Sequence, residues 1–150
     1  MNNQRLYLTL VILELAAFVS CNPVISLYSE RAYNQATSLK VETLTLMNKA
    51  TEPYQDHEKK IESLMLNLKK AYEYAKGRTN NELSARQWEI MVDPDKNLAA
   101  GFFRRWEEEG TLSKVFIEEA QKGLISQAFD MIIGLEAGKI RPEEARIVGE

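Results

Sequence analysis

An all-α fold, a helical hairpin followed by packed C-terminal helices in a bundle-like arrangement, is predicted by three features of the sequence. Apolar residues recur at steps of three and four through most of the chain after residue 22. No strand-rich run or low-complexity linker interrupts that pattern, and Pro53, the Gly77–Ser84 stretch, Pro94, Gly110 and Gly138 divide it. A single domain over residues 21–150 is the simplest organisation, and about 130 residues can bury a core without a metal or a disulfide.

The first helix is expected over Pro23–Ala50. Ile25, Tyr28, Ala32, Ala36, Leu39, Leu46 and Ala50 define its apolar face, with Val41, Leu44 and Met47 widening it. A turn follows at Thr51–Pro53. Pro53 can open the next helix, because its missing amide hydrogen falls in the first turn. Over Tyr54–Lys76 the residues Tyr54, His57, Ile61, Leu64, Leu68, Ala71 and Ala75 form a heptad-like face, with Met65 and Tyr72 beside it. That face fits an antiparallel hairpin or an intermolecular coiled coil. The short connection to the preceding helix favours the hairpin.

Gly77–Ser84 reads as a loop, with Ser84 capping a short helix over Ala85–Val92 that carries Trp88 and Met91. Asp93 and Pro94 interrupt it, since proline disfavours helical geometry in the residue before it. Lys96–Glu109 is the next helix and Gly110 its stop. Thr111 or Ser113 then caps a long helix through Ala137, whose broad stripe comprises Leu112, Phe116, Ile117, Ala120, Leu124, Ile125, Ala128, Phe129, Ile132 and Leu135. Gly123 and Gly134 weaken its continuity, Gly138 ends it, and Pro142 can start a last turn over Arg141–Ile147.

The first 21 residues carry a different signal. Arg5 precedes an apolar run, Leu6–Val19, that has the length of a signal-peptide core and is too short to span a bilayer comfortably. Phe18, Val19 and Ser20 then lead to Cys21, the chain's only cysteine. This segment resembles the signal peptide and lipobox of bacterial lipoproteins, with a large apolar residue three places before the cysteine and a small one just before it. Glu14 within the run, and Val19 where a smaller residue is commoner, depart from that pattern.

The resemblance implies removal of residues 1–20, diacylglycerol on the Cys21 thiol and a cell-envelope location. Membrane lipid is then the first partner. Asn22 replaces the aspartate of an inner-membrane retention signal and favours the outer membrane where that sorting code operates. Without the resemblance, the same run also fits a buried helix or an uncleaved anchor. Its continuous apolarity favours the leader, because a surface helix keeps a polar face.

The net charge of −3 is unchanged by loss of Arg5 and Glu14 together, and it argues against a nucleic-acid surface, which concentrates positive charge. With Cys21 acylated, no thiol is left for a disulfide. His57 is the sole histidine, so no histidine-rich zinc site can form within one chain, and its spacing to Ile61 fits packing. Asp93, Asp95 and Asn97 begin like a calcium loop, but Leu98 replaces the turn glycine and Arg104 the bidentate acid. No metal, cofactor or catalytic residue is therefore expected.

The cluster Phe103, Arg104, Arg105 and Trp106 is the candidate interaction surface, an exposed aromatic beside an arginine being a typical partner anchor. Core packing is nevertheless the preferred reading of the cluster: Phe102 and Phe103, or Phe102 and Trp106, pack against neighbouring helices while Arg104 and Glu107–Glu109 stay in water. Two functions follow as expectations: a membrane-tethered structural or interaction protein of the envelope, with an envelope protein as its partner, or a helical carrier or binding module for an apolar ligand. A groove between the Tyr54–Ala75 and Leu112–Leu135 faces would favour the second.

Overall fold

The computed structural model describes residues 26–141 and 144–149. The fold is all-α, with no strand among these residues. Its helices are α1 (Glu30–Met47), α2 (Glu58–Lys76), α3 (Glu82–Val92), α4 (Ala99–Glu109), α5 (Lys114–Ala120) and α6 (Ser126–Glu136). A 3-10 turn, Tyr54–Asp56, precedes α2, and a π-helical segment, Gln121–Ile125, joins α5 to α6.

The first helix begins later than its apolar spacing suggests. Ser29 sits in extended geometry and its hydroxyl accepts from the Ala32 amide at 3.2 Å, which caps α1 there and leaves residues 26–28 as a lead-in strand of coil. Ala32, Ala36, Leu39, Leu46 and Met47 are buried, whereas Val41 is 66% exposed. The stripe is narrower than the sequence suggests.

The turn after α1 holds Tyr54 apart from α2. The Tyr54 amide donates to Gly110 O at 2.9 Å and the Leu112 amide to Ala50 O at 2.7 Å, so two loops distant in sequence clasp through their backbones. His57 ends the resulting 3-10 turn and α2 starts behind it. The Ser29 and Tyr74 hydroxyls lie 3.2 Å apart, so the start of α1 meets the last turns of α2. The two helices form an antiparallel hairpin.

Helix α3 packs on α2, and α6 closes the bundle against α1 and α3. Trp88 of α3 meets Phe129 of α6 edge to face at 5.9 Å. Helix α4 lies against α3 and the Tyr54–Asp56 turn. A Cβ at Gly101 would stand 1.8 Å from Lys96 O, so only glycine permits the tight entry to α4.

The long helix expected from Ser113 to Ala137 is interrupted. Ser113 caps α5, its hydroxyl accepting from the Phe116 amide at 3.2 Å, but the helix widens to π geometry across Gly123 before α6 resumes. Gly138, at φ +65°, then reverses the chain, and Ile140 folds back onto Gly134. A single turn follows, closed by Ala145 N–H to Arg141 O at 3.1 Å; Pro142, its expected initiator, lies outside the described residues. Beyond it the fully buried Gln87 amide bonds Val148 in both directions, donating to its carbonyl at 3.0 Å and accepting from its N–H at 2.7 Å.

Candidate functional site

Cys21 and the Leu6–Val19 run lie outside the described residues, and no helix among those described is long and apolar enough to cross a membrane. The other sequence candidates are divided between core and surface. Helical spacing sends Phe103 and Trp106 inward with Phe102, at 2%, 0% and 3% exposure, and leaves Arg104 and Arg105 outside. The indole of Trp106 donates to Glu52 O at 3.0 Å and stands edge-on to Tyr54 at 5.8 Å. These rings are core anchors of the clasped loops, so the aromatic half of the expected surface is not presented.

Arg104 pairs with Asp95 at 2.5 Å and Arg105 with Glu109 at 2.6 Å. At the Asp93–Asn97 stretch Arg104 pairs with the exposed Asp95, while Asp93 accepts from the Asp95 amide at 2.9 Å in a local turn. Among the described residues no three His, Cys, Asp or Glu side chains converge on a metal position.

His57 Nε2 meets Glu52 Oε2 at 2.7 Å, and the imidazole lies 5.5 Å from the Trp106 ring. Its Nδ1 is buried without a partner, as is the Thr43 hydroxyl. Hydrogen bonds from His57 and then Lys49 hold the Glu52 carboxyl below its ordinary value. Burial, followed by the charges of Glu107, Glu58 and Glu62, raises the Tyr54 phenol. A general base needs a proton within reach. With Nδ1 buried and Nε2 on the exposed Glu52 carboxylate, the imidazole packs beside Trp106 at the edge of the Tyr54–Trp106 core.

One apolar groove does open, in a different place from the one the sequence suggests. Gly101, Phe102 and Arg105 of α4 form one wall, and Phe116, Ala120 and the Gly123–Ile125 segment the other, enclosing about 410 Å³. Phe102 and Phe116 stack at 5.9 Å, and the Arg105 guanidinium covers Phe116 at 4.1 Å. Gly123 of the π segment lines this space, and a Cβ built on it meets nothing within 4 Å.

A second constellation was not legible as a site. At the opposite end of the bundle the buried Glu136 carboxylate accepts from Arg78, from the Ser84 hydroxyl at 2.6 Å and from the Asn81 amide at 3.3 Å. Asn81 also reaches Ala75 O, and Arg78 donates to Leu27 O. Ser84 is thus a partner of Glu136 rather than the cap of α3. The one local clue is Glu136 itself, four residues after Ile132 on an otherwise apolar stripe. Compared with known proteins, the chain matches no family model, no curated protein and no solved structure.

Proposed function

We propose that this chain is a lipid-tethered structural or interaction protein of the bacterial envelope, anchored by diacylglycerol on Cys21 and presenting a helical bundle to an envelope partner. The observation that carries the reading is the placement of Cys21, directly after Leu6–Val19 and Ser20 and eight residues before Ser29, the cap of α1. Two or more acyl chains hold a protein on its membrane where one is marginal, each buried methylene contributing about 0.8 kcal/mol. In organisms that sort by the residue after the cysteine, Asn22 favours the outer membrane.

Metabolic labelling with a palmitate analogue tests the tether. Wild-type chain in the membrane fraction should carry label, and Cys21→Ser should carry none and leave that fraction. Equal labelling of both would rule the tether out.

The Phe102–Phe116 groove favours a second reading, a binding module for a small apolar molecule. Pockets of a few hundred Å³ with apolar walls and a few polar groups at the rim are the usual form of such sites, and Arg105 with Asn97 supplies that rim. Anilinonaphthalene sulfonate should gain fluorescence on the wild type and lose it on Gly123→Leu, whose side chain grows into the open space. Unchanged fluorescence in that variant would dismiss the groove.

A further inference from the structure

Leu27 and Tyr28 are 83% and 61% exposed, adjacent in sequence, and placed where the chain enters the bundle. The other large exposed apolar residues, Val41, Leu66, Val115 and Leu124, are separated in sequence and fall on different segments. Leu27 thus leaves most, and Tyr28 more than half, of its surface in water rather than against the fold. The surrounding structure nevertheless fixes them. Arg78, anchored on buried Glu136, donates to the Leu27 carbonyl; the Ser29 hydroxyl meets Tyr74 at 3.2 Å; and the Tyr28 ring lies 6.4 Å from Tyr33.

Around this pair the fold gathers further amphipathic groups. Arg31 covers the Tyr74 ring at 4.7 Å and Lys76 the Tyr72 ring at 5.5 Å. Arginine, lysine and tyrosine place an apolar body and a polar tip at a water–lipid boundary. A shallow depression of about 530 Å³ between Ser26–Ser29 and Gly77–Asn80 borders the pair. Exposed Glu30, Glu73 and Glu82 balance the cations of this end, so its distinguishing property is the apolar pair rather than charge.

We infer that the bundle stands on its membrane by this end, with Leu27 and Tyr28 seated in the headgroup layer and the clasped loops at residues 50–57 and 110–112 turned away. The inference rests on the tether at Cys21. Leu27 is the sixth residue after Cys21, a reach of at most about 22 Å even fully extended. Helix α1, with 18 residues, carries the far end roughly 27 Å further along the bundle. The surface nearest the anchor is therefore the one that presents exposed apolar side chains on a backbone that Arg78 holds.

Single cysteines at Leu27 and Gln55 in the full acylated chain separate the two ends. The thiol of Cys21 is consumed as a thioether, and Leu27→Cys keeps the backbone carbonyl that Arg78 holds. Each variant, labelled with nitrobenzoxadiazole maleimide, is placed on phosphatidylcholine vesicles containing a brominated lipid. The label at position 27 should shift to the blue and lose intensity to the quencher, and the label at position 55 should do neither. An acylated chain whose two labels respond alike, or whose position 55 alone responds, overturns the orientation and leaves the tether intact. A mass spectrum of the same sample that shows no acyl group on Cys21 overturns both.

Discussion

Arg78 and Glu136 form an ion pair across 58 residues of sequence, in which the carboxylate is buried and the guanidinium almost so. The pair ties the loop after α2 to the last turn of α6, and through Leu27 O it also fixes the entry of the chain. Desolvating both groups is costly, so their value lies in being fully partnered.

Removing one partner should therefore be severe. Arg78→Met leaves the Glu136 charge buried with only Ser84 and Asn81 and should cost about 3 kcal/mol in urea denaturation. Glu136→Gln keeps two of the neutral contacts and should cost less than Arg78→Met. Equal stability of wild type and Arg78→Met would mean that the pair does not hold this end together.

The aromatic cluster of α4 should respond as core and not as surface. Trp106→Ala removes a fully buried indole and should cost about 3–5 kcal/mol, whereas Arg104→Ala, at an exposed pair, should change stability by less than about 0.5 kcal/mol. A folded, fully stable Trp106→Ala seen by thermal melting would contradict the packing described for Glu52, Tyr54 and His57.

At low pH the clasped loops should loosen first. The folded-state value for Glu52 is depressed by His57 and Lys49, so the stability it contributes is complete above the ordinary glutamate range and is lost as the pH falls through the lowered value. Glu52 is exposed and the effect is correspondingly small and salt-sensitive. Near-ultraviolet circular dichroism of Trp106 reports it, and Glu52→Gln should flatten that part of the profile; an unaltered profile would remove Glu52 as its source.

Two glycines should respond in opposite directions. Gly101→Ala drives a Cβ into Lys96 O and should destabilise, because a backbone oxygen cannot move aside as a side chain can. Gly123→Ala meets open space in helical backbone and should be neutral or stabilising by up to about 1 kcal/mol. Chemical denaturation of the two variants gives the signs directly, and destabilisation by Gly123→Ala would argue against the open groove.

What the sequence made legible is what local periodicity controls. Ile61, Leu64, Leu68, Ala71 and Ala75 of α2 are all buried as their spacing requires, and the hairpin follows from that face and a short connection, whereas Tyr54 and His57 are buried from the 3-10 turn that precedes the helix. The start of α1 was misplaced because apolar spacing continues through Tyr28 while Ser29 takes the cap. The π segment was visible only as a weakness at Gly123, since the insertion depends on how α5 and α6 meet their neighbours. Glu136, Asn81, Ser84 and Arg78 come together only through the fold. For Phe103 and Trp106 helical spacing favours core over surface, and packing of Trp106 against Glu52 and Tyr54 shows the core placement.

The most direct measurement is the intact mass of the chain recovered from the cells that produce it. The account predicts that residues 1–20 are missing and that the new amino-terminal Cys21 carries diacylglycerol. A full-length chain with a free thiol at Cys21 would contradict it.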